Sequence, residues 1–308
     1  IVKQYMHQSF DISVFPLFKA RLVKYGRDRY IFLFSIHHII SDGRSVTLII
    51  NDLFERYYRY QENININIAF NFYDFYDAIN TMNTGYCVNR HLSEKDKEFF
   101  LYCVLDPQIN WPFITNAFTK SSSRPGTYAV NLESGLSATI RTFAKQKEHT
   151  LYTLLLAVYY LLIKKLTGQN QFSLLTVINN VPENISCHIS IPTINLAFLN
   201  FFNILSEEFD ALLNEVSHVV LETVESSQMS FNNVLEKLRE QHGAAVSLPK
   251  ISFSFQDANF KSNSFKEVDI YSDTSKFCLS LIVKDNAECI KLLWEYDGQN
   301  VSAKNVNH

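Results

Sequence analysis

The run His37-His38-Ile39-Ile40-Ser41-Asp42-Gly43 holds the residue types with the clearest capacity for chemistry in this chain. A histidine titrates near neutrality, so it can take a proton from an amine or a hydroxyl group. An aspartate four residues beyond His38 can hydrogen-bond or pair and so hold the intervening loop. Gly43 permits a sharp exit, because glycine reaches backbone conformations closed to other residues. Two other readings stay open on spacing alone. The histidines can simply finish a strand, with Asp42 as the N-cap of the helix that follows. They can also be read as metal ligands, although neighbouring side chains on a strand point to opposite faces and cannot easily share one ion.

The remaining candidates lack partners in the sequence. His188 adjoins Cys187, but no third group orients the two as a nucleophile and its base. His7, His91, His149, His218 and His242 stand alone. The five cysteines, Cys87, Cys103, Cys187, Cys278 and Cys289, include no C-x-x-C pair. They read as reduced thiols, and no cluster has the short spacing of a zinc site. No G-x-S-x-G, phosphate-binding loop or G-x-G-x-x-G pattern occurs, which removes support for hydrolase, nucleotide-hydrolysing and dinucleotide-binding readings.

The elements around the histidines follow from periodicity. Residues 18–25 and 30–36 read as strands joined by the Gly26-Arg27-Asp28 turn. The continuous apolar run Tyr30-Ile31-Phe32-Leu33-Phe34-Ser35-Ile36 predicts a strand covered on both faces. After Gly43, Val46, Ile49, Ile50, Leu53, Phe54 and Tyr57 recur at helical spacing. The histidines thus sit where a strand ends and a helix is about to begin. Downstream, residues 137–147, 150–166, 207–224 and 231–240 read as helices. Residues 172–178, 251–255, 278–283 and 290–296 read as strands. Residues 63–68 form a low-complexity Asn-Ile repeat, and Ser121-Ser122-Ser123-Arg124-Pro125-Gly126 reads as a linker between two lobes. The alternation predicts an α/β sandwich.

Composition narrows the partners. The chain has 308 residues, 47% of them hydrophobic, with 28 Lys and Arg against 31 Asp and Glu, for a net charge of -3. No basic excess points to nucleic acid. The longest apolar stretch, residues 151–163, falls short of the roughly 20 residues a bilayer span needs and ends at Lys164-Lys165, so a buried core helix is expected. Ile1-Val2-Lys3-Gln4 has no signal-peptide pattern and reads as the interior of a protein. A cytoplasmic location is the resulting expectation.

Three segments in order carry a resemblance. Phe10-Asp11-Ile12-Ser13, then Pro16-Leu17-Phe18-Lys19-Ala20-Arg21-Leu22, then Ile36 through Ser45 resemble the condensation domain of nonribosomal peptide synthetases. Phe198-Leu199-Asn200 is similar to a stretch in the middle of that family's second lobe, and Leu248 through Asp257 and Trp294-Glu295-Tyr296-Asp297 are similar to its later strands. The family's early first-lobe motifs lie before the segment at which this sequence opens. Arg44 stands where the family often has an aromatic residue, Leu196 stands for its glycine, and the His-Gln-Asp before the helix at Phe231 is missing.

The resemblance implies two chloramphenicol acetyltransferase-like α/β sandwich lobes forming a V with a central tunnel. Residues 1–120 would be the remainder of the N-terminal lobe and 121–308 the C-terminal lobe. It implies an acyltransferase that joins a carrier-bound acyl or peptidyl thioester to a carrier-bound aminoacyl amine. His38 is then the catalytic residue, as base or positioner. His37 and Asp42 are structural, Arg21 is the expected ion-pair partner of Asp42, and the Gly43 N–H helps polarise the thioester carbonyl. No bound cofactor is implied, since phosphopantetheine belongs to the donor and acceptor carrier proteins. Two alternatives share the resemblance: a stand-alone or starter-type acyltransferase with another amine or hydroxyl acceptor, and an inactive docking platform for a carrier protein or tailoring enzyme.

Overall fold

The structure, a computed structural model, describes residues 8–64, 125–179, 192–227, 231–242, 248–257, 275–286 and 288–299, with the single positions 5, 76, 80, 301 and 306. Most of the Asn-Ile repeat, most of the Ser-rich linker, Cys87, Cys103, Cys187, His7, His91 and His188 lie outside the described residues. The chain divides into two compact units. Unit 1 takes Ile1–Ala78, Glu183–Thr193 and Phe260–Ser272, and unit 2 takes the remainder. Unit 1 is therefore discontinuous, whereas the expected boundary was a single one at residues 120 and 121.

In unit 1, β1 (Phe18–Lys24) and β2 (Tyr30–Ile36) pair antiparallel, with Phe18 opposite Ile36 and Lys24 opposite Tyr30. Both strands fall where the sequence places them, on either side of the Gly26 turn. Coverage of β2 differs from expectation: only Leu33 is fully buried, and Tyr30 is exposed. An unbroken apolar run does not by itself distinguish full from partial cover. Helix α1 (Gly43–Gln61) follows, and its outward side carries Asp52–Arg56 and Glu55–Arg59 ion pairs at 2.7 and 2.6 Å.

Unit 2 is built on a six-stranded mixed sheet. Its strands are β3 (Gly126–Asn131), β4 (Ser173–Asn179), β5 (Ile194–Asn200), β6 (Ile251–Asp257), β7 (Leu279–Asp285) and β8 (Ile290–Tyr296). They lie in the order β3-β8-β7-β6-β4-β5. The pairs β4/β6 and β6/β7 are parallel, and the other pairs are antiparallel. Among the described residues four helices accompany it: α2 (Ser134–Gln146), α3 (Leu151–Thr167), α4 (Phe209–Ser226) and α5 (Phe231–His242).

The apolar stretch that begins at Leu151 is the core helix expected. Leu156, Ala157, Tyr159, Tyr160 and Ile163 of α3 are buried with Leu213 and Val216 of α4, Leu174 of β4 and Phe253 of β6. Thr150 caps the start of α3, and Gly168 ends it with φ 71°, a left-handed conformation that favours glycine. A second cluster joins Leu175, Phe198, Val234, Leu235 and Leu238. Leu174 and Leu175 are successive strand residues, so they point to opposite faces. Helix α5 thus covers the face of β4–β5 opposite the α3 core.

Two strands escaped the sequence reading. Gly126, read as part of a linker, opens β3, opposite Tyr296 of β8. A Cβ there would collide with the Tyr296 ring, so this glycine serves close strand-to-ring approach. Strand β5 was noted only for its resemblance, and its first buried side chain, Asn195, is polar.

Among the described residues no single helix is long and apolar enough to cross a membrane. The two described cysteines, Cys278 and Cys289, are free thiols.

Candidate active site

The site begins where β2 ends. The His37 N–H donates to the Leu17 carbonyl at 2.8 Å, which continues the β1–β2 ladder by one rung. The Ile40 N–H then donates back to the His37 carbonyl at 3.1 Å and closes a tight turn. Ser41 Oγ donates to the same carbonyl at 3.1 Å. Residues 37–41 therefore form a self-bonded loop.

The two imidazoles are held in opposite tautomers. His37 Nδ1 accepts from the Ile39 N–H at 3.0 Å, so that nitrogen carries the lone pair and Nε2 the proton. The His37 ring also meets Phe10 edge-on, with centroids 6.0 Å apart. His38 Nδ1 lies 2.7 Å from the Ser41 carbonyl oxygen. A carbonyl only accepts, so Nδ1 carries the proton, and in the neutral ring Nε2 keeps its lone pair. His37 is partly covered and His38 exposed. Of the two, His38 has its unprotonated nitrogen free of the loop's own hydrogen bonds. That arrangement suits a proton acceptor.

Asp42 does two jobs at once. It is the N-cap of α1, with extended backbone (φ -132°). Its Oδ1 accepts from the Ser45 N–H at 2.7 Å and from Ser45 Oγ at 2.8 Å. Its Oδ2 accepts from the Thr193 N–H at 2.7 Å and from Thr193 Oγ1 at 3.3 Å. All three residues are buried. Burial pushes the Asp42 carboxyl up, but the hydrogen bonds from Thr193 and Ser45 outweigh it and hold the group below its ordinary value. The capping role left open by the sequence is therefore present, alongside a loop-holding role.

The expected Arg21–Asp42 ion pair is not made. Arg21 is exposed on β1 with its guanidinium over the Tyr5 ring, 5.8 Å from the centroid. Backbone and hydroxyl donors already fill both carboxylate oxygens. Gly43 also differs from expectation. It is the first residue of α1, it has no left-handed φ, and among the described residues a Cβ on it would meet nothing within 4 Å. What glycine leaves there is open space beside the first-turn N–H groups, not a strained turn. Among the described residues no group of three His, Cys, Asp or Glu side chains is arranged to hold a metal ion.

Sequence reasoning missed three participants. Ser45 had a readable signal, since Asp42 stands three residues before it at capping distance. The Ser41 carbonyl and Thr193 had none, because a backbone acceptor and a residue 151 positions away leave no periodic trace.

The family model for the condensation domain matches residues 1–307. Surfactin synthase subunit 1 of Bacillus subtilis (strain 168) is 25% identical over 96% of this chain and 8% of its own length. Tyrocidine synthase 2 of Brevibacillus parabrevis is 26% identical over 94% of this chain and again 8% of its own length. The chain thus spans a small part of the curated relatives it matches. Among solved structures, the condensation domain from Monacolin K polyketide synthase MokA superposes with a TM-score of 0.73 at 14% identity, covering 99% of this chain and 72% of that one. The fold is the chloramphenicol acetyltransferase-like α/β fold of those domains. With a family model matched from its first residue to its penultimate one, this chain belongs to the condensation domain family.

Proposed function

We propose that this chain joins an acyl or peptidyl group, carried as a thioester on one carrier protein, to the amine of an aminoacyl group carried on another. The acceptor nitrogen attacks the thioester carbonyl, a C–N bond forms, the C–S bond breaks, and the donor phosphopantetheine leaves as a thiol. The amine gives up one proton in the exchange. His38 Nε2 receives that proton or holds the amine in line, as base or positioner. His37 and Asp42 hold the loop, and the Gly43 N–H, one of the helix's unpaired first-turn donors, polarises the carbonyl. No resident cofactor enters the scheme, because both substrates arrive on partner carriers.

The observation that carries this reading is the His38 Nδ1–Ser41 carbonyl bond of 2.7 Å, which leaves Nε2 as the lone-pair nitrogen on an exposed ring. Membership of the condensation domain family supports the reaction class. The test mixes the full chain with two carrier proteins, one loaded with an acyl thioester and one with an aminoacyl thioester. Intact-mass spectrometry should show the acyl mass moving onto the acceptor carrier, and replacing the acceptor amine by a hydroxyl should stop it. A folded chain that binds carriers without moving the acyl group would overturn the proposal. So would transfer to the hydroxyl acceptor alone.

A further inference from the structure

The exposed His38 ring owes its orientation to one carbonyl. Its Nδ1 bonds to the Ser41 oxygen, and Ser41 is the residue immediately before Asp42. Whatever fixes Asp42 therefore fixes the peptide that aims His38. The Ser45 bonds tie one carboxylate oxygen to the helix that Asp42 itself starts, so they are local. The Thr193 bonds tie the other oxygen to a strand-entry residue 151 positions away. Thr193 is fully buried and is the last residue of unit 1 before the chain enters β5. Arg21 does not share the carboxylate, since it lies over Tyr5.

We propose that Thr193 is a positioning residue for His38, acting through the Asp42 carboxylate and the Ser41 carbonyl. The link is short: a 2.7 Å bond from the Thr193 N–H, the Ser41–Asp42 peptide, and a 2.7 Å bond to His38 Nδ1. With both ends buried except the imidazole, a shift at Thr193 has little room to dissipate before it reaches the ring. Thr193 touches no reacting atom. Its effect is on the tautomer and direction of His38, and this inference rests on the reading of His38 given above.

Asp42→Asn separates the two limbs. Asparagine still caps a helix well, so its oxygen stays with Ser45 and its NH2 group is turned toward the Thr193 N–H, donor against donor. Thr193→Val removes only the hydroxyl and keeps the backbone bond, and Thr193→Ser restores the hydroxyl. Histidine-specific 15N spectra of the full chain report the His38 tautomer, with the resonance assigned by its loss in His38→Ala. The unmodified chain should show the Nδ1–H form. Asp42→Asn should move His38 out of that form, and Thr193→Val should do so to a smaller degree. Turnover should fall by about tenfold in Asp42→Asn with KM nearly unchanged. Thr193→Ser should match the unmodified chain.

If Asp42→Asn fails to fold, Asp42→Ser takes its place: serine still caps the helix, but its single oxygen cannot serve both Ser45 and Thr193. Folded variants that keep His38 in the Nδ1–H form would overturn the proposal. A chain that forms no amide leaves the tautomer measurement intact, so failure of the reaction and failure of the positioning role are distinguishable.

Discussion

Two neighbouring tyrosines of α3 should respond unequally to loss of their hydroxyls. Tyr160 and Tyr159 are both fully buried. Tyr160 Oη donates to the Asn170 carbonyl at 2.9 Å. Tyr159 Oη reaches the Ser252 carbonyl only at 3.5 Å, the outer limit of a hydrogen bond. Tyr160→Phe removes a well-formed bond. Asn170 is an exposed residue, so its carbonyl can turn to water, and the cost should be about 1 kcal/mol. Tyr159→Phe gives up almost no bond energy and relieves the burial of a poorly satisfied hydroxyl, so its stability should stay within about 0.5 kcal/mol of the parent. Both rings keep their packing, Tyr160 against Phe172 and Phe201, Tyr159 against Phe253 and Trp294. Urea unfolding followed by circular dichroism measures the difference. A Tyr159→Phe loss equal to or larger than that of Tyr160→Phe would refute the reasoning from bond length.

Other perturbations follow from the same geometry. Gly126→Ala should destabilise unit 2 by about 1–3 kcal/mol, because the new methyl meets the Tyr296 ring; a second change of Tyr296 to a smaller side chain should recover part of that loss in thermal melts. Arg141 grips Asp285 through Nε and Nη2 at 3.1 and 2.7 Å and also the Asn286 carbonyl at 2.7 Å, all partly buried. Arg141→Ala should therefore cost about 1.5–3 kcal/mol, and Lys147→Ala, at a more exposed pair with Asp210, less than about 1 kcal/mol; equal losses would contradict the ranking. The Asp42 carboxyl is held below its ordinary value, so its contribution is complete above the unfolded value of about 4 and is lost as pH falls through the depressed one. Urea midpoints should thus fall with acid below about pH 4 more steeply in the parent than in Asp42→Asn.

The sequence made the site's scaffold readable because each element there has a strong local signature. The β1–β2 hairpin has its Gly26 turn, α1 has its 3.6-residue stripe, and Asp42 stands at a capping position. The core helix α3 was equally plain from its apolar run. Strand β3 was hidden because Pro125 and Gly126 look like linker residues, while the strand role of Gly126 depends on Tyr296, which is 170 positions further on. Arg21 was assigned to Asp42 on charge complementarity alone. Buried carboxylates can be satisfied by backbone N–H groups as well as by cations, and here Thr193 supplies one. That partner arises from the fold rather than from any local pattern, so periodicity could not reveal it.

On the proposed reaction, His38 serves the acyl transfer through Nε2. Single-turnover rates with both carriers loaded test it most directly, comparing the full chain with His38→Ala and His38→Gln. A loss on the order of 10²–10⁴-fold is expected in His38→Ala at unchanged carrier binding, with His38→Gln recovering rate only to the degree that positioning, not proton transfer, is the ring's contribution. A His38→Ala chain that forms amide at the parent's rate would rule out that role for His38.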